Sequence, residues 1–429
     1  PHWAEYGMAK INMRSGLQPP LSGSYHNPYK HSCGAFIRSE IWACIAPGCP
    51  SVAAASAYED AIIDHGDGEG TVAEVFTAAL ESAFVVNDIR QLFEIGLSYI
   101  PTDCGLAGAV RNAIASYDAG LSWQEARDAL LEVYRGSSAA NNPANTSPED
   151  REKGFHEGQQ GWDAPSNIGM IVLGLLYGEG AFDKTLCTTV NLGEDTDCTG
   201  ATVGSLYGIM HGADAIPAQW LAPVGRKIKT ACLNLGELGY FGNQLPATVD
   251  ELTDRTERIA QQVILRHHLP VTISEEPTDL SGLPEAALFA PRGGQDVLRN
   301  LGRAVHRFGF FEVAVDYGRA PIIRDGVPKC ITLTIRNRYK VMENLNLHWY
   351  LPAGWRVLPA ADAKLFVAND YIGTPETTVT FTLEADAVTR PSHRCVVELS
   401  VEGRPTAMTV PILLLNGNAE PHACAPGGK

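Results

Sequence analysis

Two aspartates lie two positions apart in residues 191–212, which read NLGEDTDCTGATVGSLYGIMHG. Because residues i and i+2 do not share a helix face, Asp195 and Asp197 must lie in the turn before a helix or in its first turn. With Glu194, they place three carboxylates within four positions. Mg²⁺ or Mn²⁺ would offset their repulsion, since such ions prefer oxygen ligands. A single Asp can equally be a helix N-cap without further function, so the spacing leaves metal binding and capping open.

Four glycines follow the aspartates at intervals of four: Gly200, Gly204, Gly208 and Gly212. On a helix they line one face, and each weakens the helix by roughly 1 kcal/mol relative to alanine. The spacing therefore predicts a helix that starts at the aspartates and keeps this face bare. Tight packing on a neighbouring backbone and access for a ligand would both explain such a face.

The segments around this stretch have the period of helices. Between residues 51 and 136, and again from about 164 to 268, apolar residues recur every three or four positions, and Gly or Pro ends most segments. Many alanines on the apolar faces indicate close contacts between helices. After about residue 298, apolar and polar residues alternate with turn residues at short intervals, which is typical of an antiparallel sandwich.

The predicted fold class is multidomain: an all-α domain followed by an antiparallel Ig-like β-sandwich. We expect the helical domain over residues 1–268, with the Gly-, Pro-, Ser- and Tyr-rich residues 1–50 as an ordered loop, and a Pro-, Glu- and Gly-rich linker over 269–297. The sandwich is expected over 298–420, followed by a tail at 421–429. The sequence LPAGW at 351–355 resembles the sandwich modules appended to bacterial glycosidases, and Trp355 is expected to be a core aromatic rather than a sugar platform.

Composition limits the classes of partner. The formal net charge of −16 argues against non-specific binding to nucleic acid, which depends on basic patches. The longest apolar stretch, residues 168–177, is too short to span a bilayer. The chain begins with Pro1 rather than Met or a basic leader, so we expect it to be incomplete at this end. Ten cysteines without a tight framework favour reduced thiols and a cytoplasmic location, with a secreted or periplasmic one left open.

Residues 193–220, GEDTDCTGATVGSLYGIMHGADAIPAQW, resemble the C-terminal signature of the ADP-ribosylglycohydrolase family, which includes dinitrogenase reductase-activating glycohydrolases and J1 crystallins. Upstream, SCGAFIRSEIWACIAPG at 32–48 resembles the Asn-Gly-Ala-x-Met-Arg block of the family. Asp64-His65-Gly66 corresponds to its Thr-His-Gly. The resemblance covers about residues 30–235 and includes the all-α prediction.

The resemblance implies a helical fold with two divalent ions, Mg²⁺ or Mn²⁺, which bind the ribose of ADP-ribose and activate its glycosidic carbon toward water. Asp195 and Asp197 would be metal ligands. The threonine that follows them in the family is replaced here by Cys198, so Thr199 or a water molecule would take its place. The asparagine before the family Gly-Ala is replaced by Cys33. These two replacements leave a different glycoside open as the substrate.

The same resemblance, together with the polar and aromatic loop at 155–169, supplies candidates for substrate contacts. They are Cys33, Gly34, Arg38, His65, His156, Trp162, Asp163 and Asn167. Two of them have a simpler explanation. A helix C-terminus favours a histidine such as His65 for its charge alone. Arg38 could form a salt bridge with Glu40 or a nearby Asp instead of binding an anion through its guanidinium group.

An expected motif is absent. Family members carry an earlier Thr-Asp-Asp motif that completes the metal shell, and no Asp-Asp pair occurs in these 429 residues. The first explanation is that the chain lacks the beginning of the domain. The second is that a different polypeptide supplies the motif; association into a homo-oligomer is also left open. The third is a non-catalytic relative.

The sequence therefore predicts a metal-dependent glycohydrolase that cleaves the glycosidic bond of an ADP-ribosyl or related furanosyl conjugate. Its substrate would be a small molecule of this class, with neither nucleic acid nor a membrane as partner. One alternative is a glycoside hydrolase of a carbohydrate-degrading bacterium that acts on a carbohydrate without ADP-ribose. The other is a non-catalytic, crystallin-like or ligand-binding protein.

Overall fold

The computed structural model describes residues 4–135, 161–228 and 245–418, except for positions 277, 280–282, 292–296, 370 and 372. The chain forms two compact units. The helical unit comprises Pro1–Ala9 and His26–Arg299, and the sandwich unit comprises Lys10–Tyr25 and Asn300–Lys429. The chain thus leaves the helical unit after a few residues, contributes a short segment to the sandwich unit and then returns. The sequence pattern, which predicts one helical domain over 1–268, gives no sign of this segment.

The predicted helical periodicity is confirmed. The described helices, in chain order, are α1 (Ala4–Arg14), α2 (Leu21–Ser24), α3 (Glu40–Ile45), α4 (Pro50–Ala61), α5 (Glu69–Ser82), α6 (Ile89–Ser98), α7 (Gly105–Asp118), α8 (Trp123–Tyr134), α9 (Ala164–Gly178), α10 (Phe182–Asn191), α11 (Thr196–His211), α12 (Ala218–Val224) and α13 (Val249–His267). Short 3₁₀ turns occur at Phe36–Arg38, Ala213–Ala215 and Glu285–Ala287. None of the described helices combines the length and the apolar character that crossing a membrane requires.

Small residues let the helices of this unit approach closely. A Cβ added at Gly174 on α9 would lie 2.9 Å from the Cβ of Thr189 on α10. One added at Gly178 would lie 2.7 Å from the Cα of Thr185, a turn earlier on α10. Real Cβ atoms are excluded at such distances, because interiors are close-packed. The predicted close helix contacts are therefore present between α9 and α10.

The glycine face of α11 is different. A Cβ added at Gly200 would lie 3.3 Å from the Val190 side chain, but one added at Gly204 would have no described atom within 4 Å. At Gly208 the nearest described atom, from Ile216, is 3.8 Å away. The tight-packing explanation of this face is therefore wrong for Gly204 and Gly208 within the described part of the chain. Gly212 has φ +78° and ends the helix, a role that its lack of a Cβ permits.

The predicted linker is ordered in part against the helical unit. Val271 is 9% exposed and Leu288 is 2% exposed. The hydroxyl group of Tyr99 on α6 donates a hydrogen bond to the Leu288 carbonyl at 3.2 Å. The backbone of Ala290 donates to the hydroxyl oxygen of Ser98 at 3.0 Å. Two buried apolar side chains and two hydrogen bonds thus hold parts of this polar segment within the helical unit.

The sandwich consists of two five-stranded sheets. Their strands are β1 (Ala304–Arg307), β2 (Phe311–Asp316), β3 (Ile322–Ile323), β4 (Lys329–Asn337), β5 (Glu343–Tyr350), β6 (Trp355–Leu358), β7 (Asp362–Val367), β8 (Glu376–Ala385), β9 (Ser392–Val401) and β10 (Met408–Asn416). One sheet has the order β1-β2-β4-β8-β6 and the other β3-β10-β9-β5-β7. All pairs are antiparallel except β3 with β10, so the second sheet is mixed rather than purely antiparallel.

Alternation along the strands explains the sandwich core. On β4, Ile331, Leu333 and Ile335 point into the core, whereas Thr332 and Thr334 point outward and pair with threonines of β8. Trp355 is 7% exposed and belongs to the core cluster, which confirms its prediction as a core aromatic. Leu17 and Leu21, from the segment Lys10–Tyr25, join the same cluster at 0% and 8% exposure. Part of the loop predicted over residues 1–50 thus has a structural role in this core, but the prediction is wrong for α1 and α3, which are helical.

Candidate active site

The turn before α11 determines where the aspartates lie. Gly193 and Glu194 both have positive φ, 85° and 61°, which reverses the chain just before the helix begins. Glu194 forms an ion pair with Arg135 at 3.3 Å. Asp195 occupies the N-cap position, yet its side chain makes no capping hydrogen bond. Helix capping therefore does not explain the Asp195 carboxylate, which is available to bind a ligand.

Three side chains converge at this helix start. One ligand atom from each of Asp195, Asp197 and Cys198 lies within 4.8 Å of the other two. Burial, together with neighbouring Asp197, raises the pKa of Asp195. Burial and the two aspartates raise the pKa of the Cys198 thiol well above its usual range. A bound cation would relieve this repulsion, so the donor set fits a divalent ion.

Thr199, the alternative ligand from the sequence, lies one position further along α11. Its side chain is fully buried, and its hydroxyl oxygen has no hydrogen-bond partner among the described residues. A buried hydroxyl without a partner is costly. It is therefore a further polar group whose partner is absent from the described part of the molecule. Its role as a ligand stays a prediction.

Two extended segments meet beside the aspartates. Ser32 pairs with Asp163 in an isolated antiparallel bridge, and the Cys33 amide donates to the Trp162 carbonyl at 2.8 Å. The Cys33 thiol lies 3.8 Å from the Asp163 carbonyl and also interacts with the Asp195 carboxylate. The predicted substrate residues Cys33 and Asp163 are thus brought next to the predicted metal ligands.

Asn167 ties this second segment to the aspartates. Its amide nitrogen donates to the carbonyls of Gly161 at 3.0 Å and Asp163 at 2.8 Å. Its amide oxygen accepts from the backbone N–H of Asp195 at 3.0 Å. All of its described bonds are to the backbone, so Asn167 holds the position of the Asp195 backbone. This arrangement favours a positioning role for a residue that the sequence predicts as a substrate contact.

Asp163 is a buried carboxyl group at the start of α9. It is 4% exposed, and its carboxyl group interacts with the backbone N–H of Ser166 in the first turn of the helix. Burial, with a smaller contribution from the Glu69 carboxylate, raises the pKa of Asp163 to about 8. The carboxylate of Glu69 is itself used by the N-terminus of α7, where it accepts from the amides of Gly105 and Leu106. Asp163 therefore holds its proton near neutral pH in a site that also contains ionisable aspartates.

The predicted anion-binding arginine is already paired. Arg38 donates through Nε to Asp60 at 2.6 Å and through both Nη atoms to Asp64 at 2.9 Å. Glu74 lies 3.6 Å from the same guanidinium group. The salt-bridge alternative is therefore realised, although the partners are Asp60 and Asp64 rather than Glu40. A phosphate would have to compete for Arg38 with these carboxylates and with the Tyr6 hydroxyl, to which the guanidinium group donates at 3.1 Å.

His65 is part of the same network. It is completely buried, with Nδ1 2.7 Å from Asp64 and Nε2 3.3 Å from the hydroxyl of Ser32. Hydrogen bonds from His65 and Arg38 outweigh burial and hold the pKa of Asp64 below its usual value. Since Ser32 lies in the bridge to Asp163, His65 connects the arginine network to the site. Both ring nitrogens already have partners, and a direct contact of His65 with substrate stays a prediction.

Glu5 is a site residue that the sequence does not reveal. Its carboxyl group is buried, and a Cβ added at Gly34 would lie 2.7 Å from its Cδ. Burial raises the pKa of Glu5, and the carboxyl also interacts electrostatically with His65 and Arg38. It is one of the charges that acts on Cys198. Gly34 thus leaves space for a third carboxyl near the cluster; α1 carries no motif that would predict it.

The remaining candidates lie at the edge of this arrangement. Trp162 is 46% exposed and presents its ring to solvent beside the bridge. His156 lies outside the described residues. The structure thus brings together Cys33, Asp163, Asn167, Asp195, Asp197 and Cys198, and it links Gly34, Arg38 and His65 to them through Glu5 and Ser32.

Comparison with known proteins gives this arrangement a family. The sequence pattern described as ADP-ribosylglycohydrolase matches residues 3–260, more than half of the chain. The chain belongs to the ADP-ribosylglycohydrolase family. It is also similar to the ADP-ribosyl-[dinitrogen reductase] glycohydrolase of Rhodospirillum rubrum, with 31% identity over 97 residues, or 22% of this chain. The chain spans about a third of the length of that relative.

Solved structures add little to the membership in the ADP-ribosylglycohydrolase family. A structure described as catalysing macrocyclisation in alchivemycin A biosynthesis matches 29% of this chain and 100% of its own at 11% identity, with a TM-score of 0.16. An alkylpurine DNA glycosylase from Pseudomonas fluorescens, bound to DNA with an abasic site analogue, covers 80% of this chain and 99% of its own at 12% identity. Its TM-score is also 0.16. Scores this low show no shared fold.

Proposed function

We propose that this chain is a metal-dependent hydrolase that cleaves the glycosidic bond of an ADP-ribosyl conjugate. Family membership supports the reaction class. The single observation that carries the metal dependence is the cluster of Asp195, Asp197 and Cys198, whose ligand atoms lie within 4.8 Å while Asp195 is not used as a cap. The Thr-Asp-Asp motif that the resemblance implies for the rest of the metal shell does not occur in this sequence.

The chain's own residues would divide the work. Asp195 and Asp197 would hold a divalent ion, which when bound supplies Lewis acidity toward a sugar hydroxyl and the attacking water. Asn167 fixes the backbone of Asp195 and so the direction of its carboxylate. Metal ligands commonly depend on such supporting bonds for their orientation.

Asp163 is the carboxyl group best suited to handle a proton. Because its pKa is about 8, it is protonated at neutral pH and could donate a proton to the departing group as the glycosidic bond breaks. The neighbouring aspartates at the helix start would remain available to the cation. Carboxyl groups with such different environments are the arrangement that glycoside hydrolysis requires.

The test measures divalent-ion binding by calorimetry and release of ADP-ribose from an ADP-ribosylated peptide. We expect Mn²⁺ or a similar ion to bind the intact chain and Asp197→Ala to lose that binding. We also expect the ion-dependent release to fall by roughly 10- to 100-fold or more in the variant, since even loss of a supporting group costs that much. Asp214→Ala is the matched control, because Asp214 is an exposed aspartate just beyond the opposite end of α11.

The outcomes separate the metal site from the substrate. Ion binding that survives Asp197→Ala would contradict the proposed metal centre. Ion binding without release of ADP-ribose, but with hydrolysis of simple glycosides, would contradict the substrate and leave the metal centre intact. Failure of the intact chain to bind any ion would remove the metal dependence altogether.

A further inference from the structure

Two of the positions at which this chain departs from the family pattern lie against the same carboxylate. Cys198 replaces the family threonine after the second aspartate, and its thiol interacts with Asp195. Cys33 replaces the family asparagine, far away in sequence, and its thiol also interacts with Asp195. Two replacements by the same residue type at one carboxylate change the chemistry of the site rather than its packing alone.

The local geometry places the Cys198 sulfur among the ligands. Its Sγ lies within 4.8 Å of carboxylate oxygens from both Asp195 and Asp197, which is the separation of atoms that can share one ion. Cys198 lies in the first turn of α11, where the helix fixes its direction relative to Asp197. Cys33 is 2% exposed and approaches Asp195 from the bridge with residues 162–163.

Sulfur changes which ions such a site can hold. Mg²⁺ takes oxygen ligands in a nearly ideal octahedron and is poorly matched to a thiolate. Zn²⁺, Co²⁺ and Fe²⁺ accept thiolate together with carboxylate, and Mn²⁺ is intermediate. A site with two carboxylates and one thiolate should therefore favour softer ions than a site with oxygen ligands alone.

We infer that Cys198 binds the divalent ion of this site as a thiolate and that the site therefore prefers a sulfur-accepting ion such as Zn²⁺, Co²⁺ or Fe²⁺ over Mg²⁺. This inference rests on the proposed function, since it concerns the ion held by Asp195 and Asp197. The metal–sulfur bond forms as the S–H bond breaks, and the proton leaves to the solvent. Cys33 stays a thiol that supports Asp195 from its buried side.

The test uses the whole chain, freed of metal by dialysis against a chelator and kept reduced with a phosphine. Binding of Mg²⁺, Mn²⁺, Co²⁺ and Zn²⁺ is measured by calorimetry, and the Co²⁺ form is examined for the near-ultraviolet absorption of a thiolate-to-metal transition. Four variants are compared with the intact chain: Cys198→Thr, which restores the family residue, Cys33→Ser, Asp197→Ala, and Cys330→Ser as an exposed cysteine of the sandwich.

We expect the thiolate absorption in the intact chain, in Cys33→Ser and in Cys330→Ser, but not in Cys198→Thr. Zn²⁺ binds most nitrogen, oxygen and sulfur sites more tightly than Mg²⁺ or Mn²⁺. A high Zn²⁺-to-Mg²⁺ affinity ratio in the intact chain is therefore not diagnostic by itself. The diagnostic result is that Cys198→Thr narrows the Zn²⁺-to-Mg²⁺ affinity ratio by roughly 10-fold or more, the scale of losing even a supporting group. Circular dichroism verifies that each variant is folded.

The failures are distinguishable. Tight ion binding that Asp197→Ala abolishes, with no thiolate absorption and an unchanged ratio in Cys198→Thr, would overturn this inference and leave the proposed metal centre standing. Loss of the absorption in Cys33→Ser instead would also overturn it, because the other sulfur would be the ligand. If no ion binds the intact chain, both this inference and the metal dependence of the proposed function are wrong.

Discussion

Two carboxyl groups of the helical unit, those of Glu40 and Glu81, interact inside the fold. Glu81 on α5 is fully buried, and one of its oxygens has no hydrogen-bond partner among the described residues. Its other oxygen lies 3.4 Å from the hydroxyl of Ser39. Burial raises the pKa of Glu40 to about 7, and burial together with Glu40 raises the pKa of Glu81 well above its usual range. These two carboxyl groups behave as one unit that retains a proton on folding.

This pair should make stability depend on pH. In the unfolded chain Glu40 loses its proton near 4.5, whereas in the fold it keeps the proton until about 7. The free energy of unfolding should therefore decrease as the pH rises from about 4.5 to 7, because the unfolded state gains more from losing the proton. Each unit of pKa difference corresponds to about 1.4 kcal/mol. Glu40→Gln should reduce this slope, as measured by urea unfolding across that range.

Glu94→Gln is the control for the carboxyl pair, because Glu94 is exposed on the neighbouring helix α6. Its unfolding free energy should follow that of the intact chain at every pH. If Glu40→Gln also follows the intact chain between pH 4.5 and 7, the two carboxyl groups do not retain their proton in the way that their burial indicates.

At the scale of elements, glycine has opposite roles on two helices. Gly178 ends α9 where it crosses α10, and the Cα of Thr185 leaves no room for a Cβ. Gly204 lies in the middle of α11 with no described atom within 4 Å of an added Cβ. Gly178 is therefore required by packing. Gly204 weakens its helix, and no described neighbour requires a glycine at that position.

Alanine substitutions should separate these two roles. Gly178→Ala should lower the free energy of unfolding by about 1–3 kcal/mol, because the added methyl group overpacks the contact between α9 and α10. Gly204→Ala should raise it by roughly 0.5–1 kcal/mol, because alanine restricts the unfolded chain and favours the helix. Both values come from denaturant unfolding. Shifts of the same sign in the two variants would show that the neighbourhoods of the two glycines are not as the structure describes them.

Local patterns predict the elements and the chemical cluster, but not the contacts made between distant segments. The 3.6-residue and two-residue periods predict the helices and strands, and the spacing of Asp195 and Asp197 predicts a helix start while leaving metal binding and capping open. By contrast, Arg38 pairs with Asp60 on α4 and with Asp64 just after that helix. The spacing of residues in the sequence cannot specify these partners. Glu5 reaches the site only because Gly34 leaves space for it. Such contacts depend on tertiary packing, for which a single sequence gives no periodic signal.

At the scale of the whole molecule, the segment Lys10–Tyr25 contributes to the sandwich core from the other end of the chain. Leu17 is fully buried in that core. Leu17→Ala should therefore destabilise the sandwich unit by about 2–5 kcal/mol through lost burial and the cavity left behind. Proteolysis in increasing urea, with fragments identified by mass spectrometry, should show residues 300–418 becoming susceptible at lower urea.

Met13→Ala provides a comparison within the same segment, because Met13 is 41% exposed. It should leave the urea dependence of cleavage in the sandwich unchanged. Equal protection of residues 300–418 in Leu17→Ala and in the intact chain would mean that the segment is dispensable for the stability of these strands.

The origin of that core from both ends of the chain has a consequence for synthesis on the ribosome. Leu17 and Leu21 emerge early, but their partners follow only after the roughly 270 residues of the segment His26–Arg299. At a translation rate of about 5–20 residues per second, roughly 15–55 s pass between the synthesis of the two leucines and that of the first strand of the sandwich. During that interval a short apolar segment is exposed beside a folding helical unit. In a nascent chain, Leu17 and Leu21 should therefore lack their core partners until the strands of the sandwich have been made.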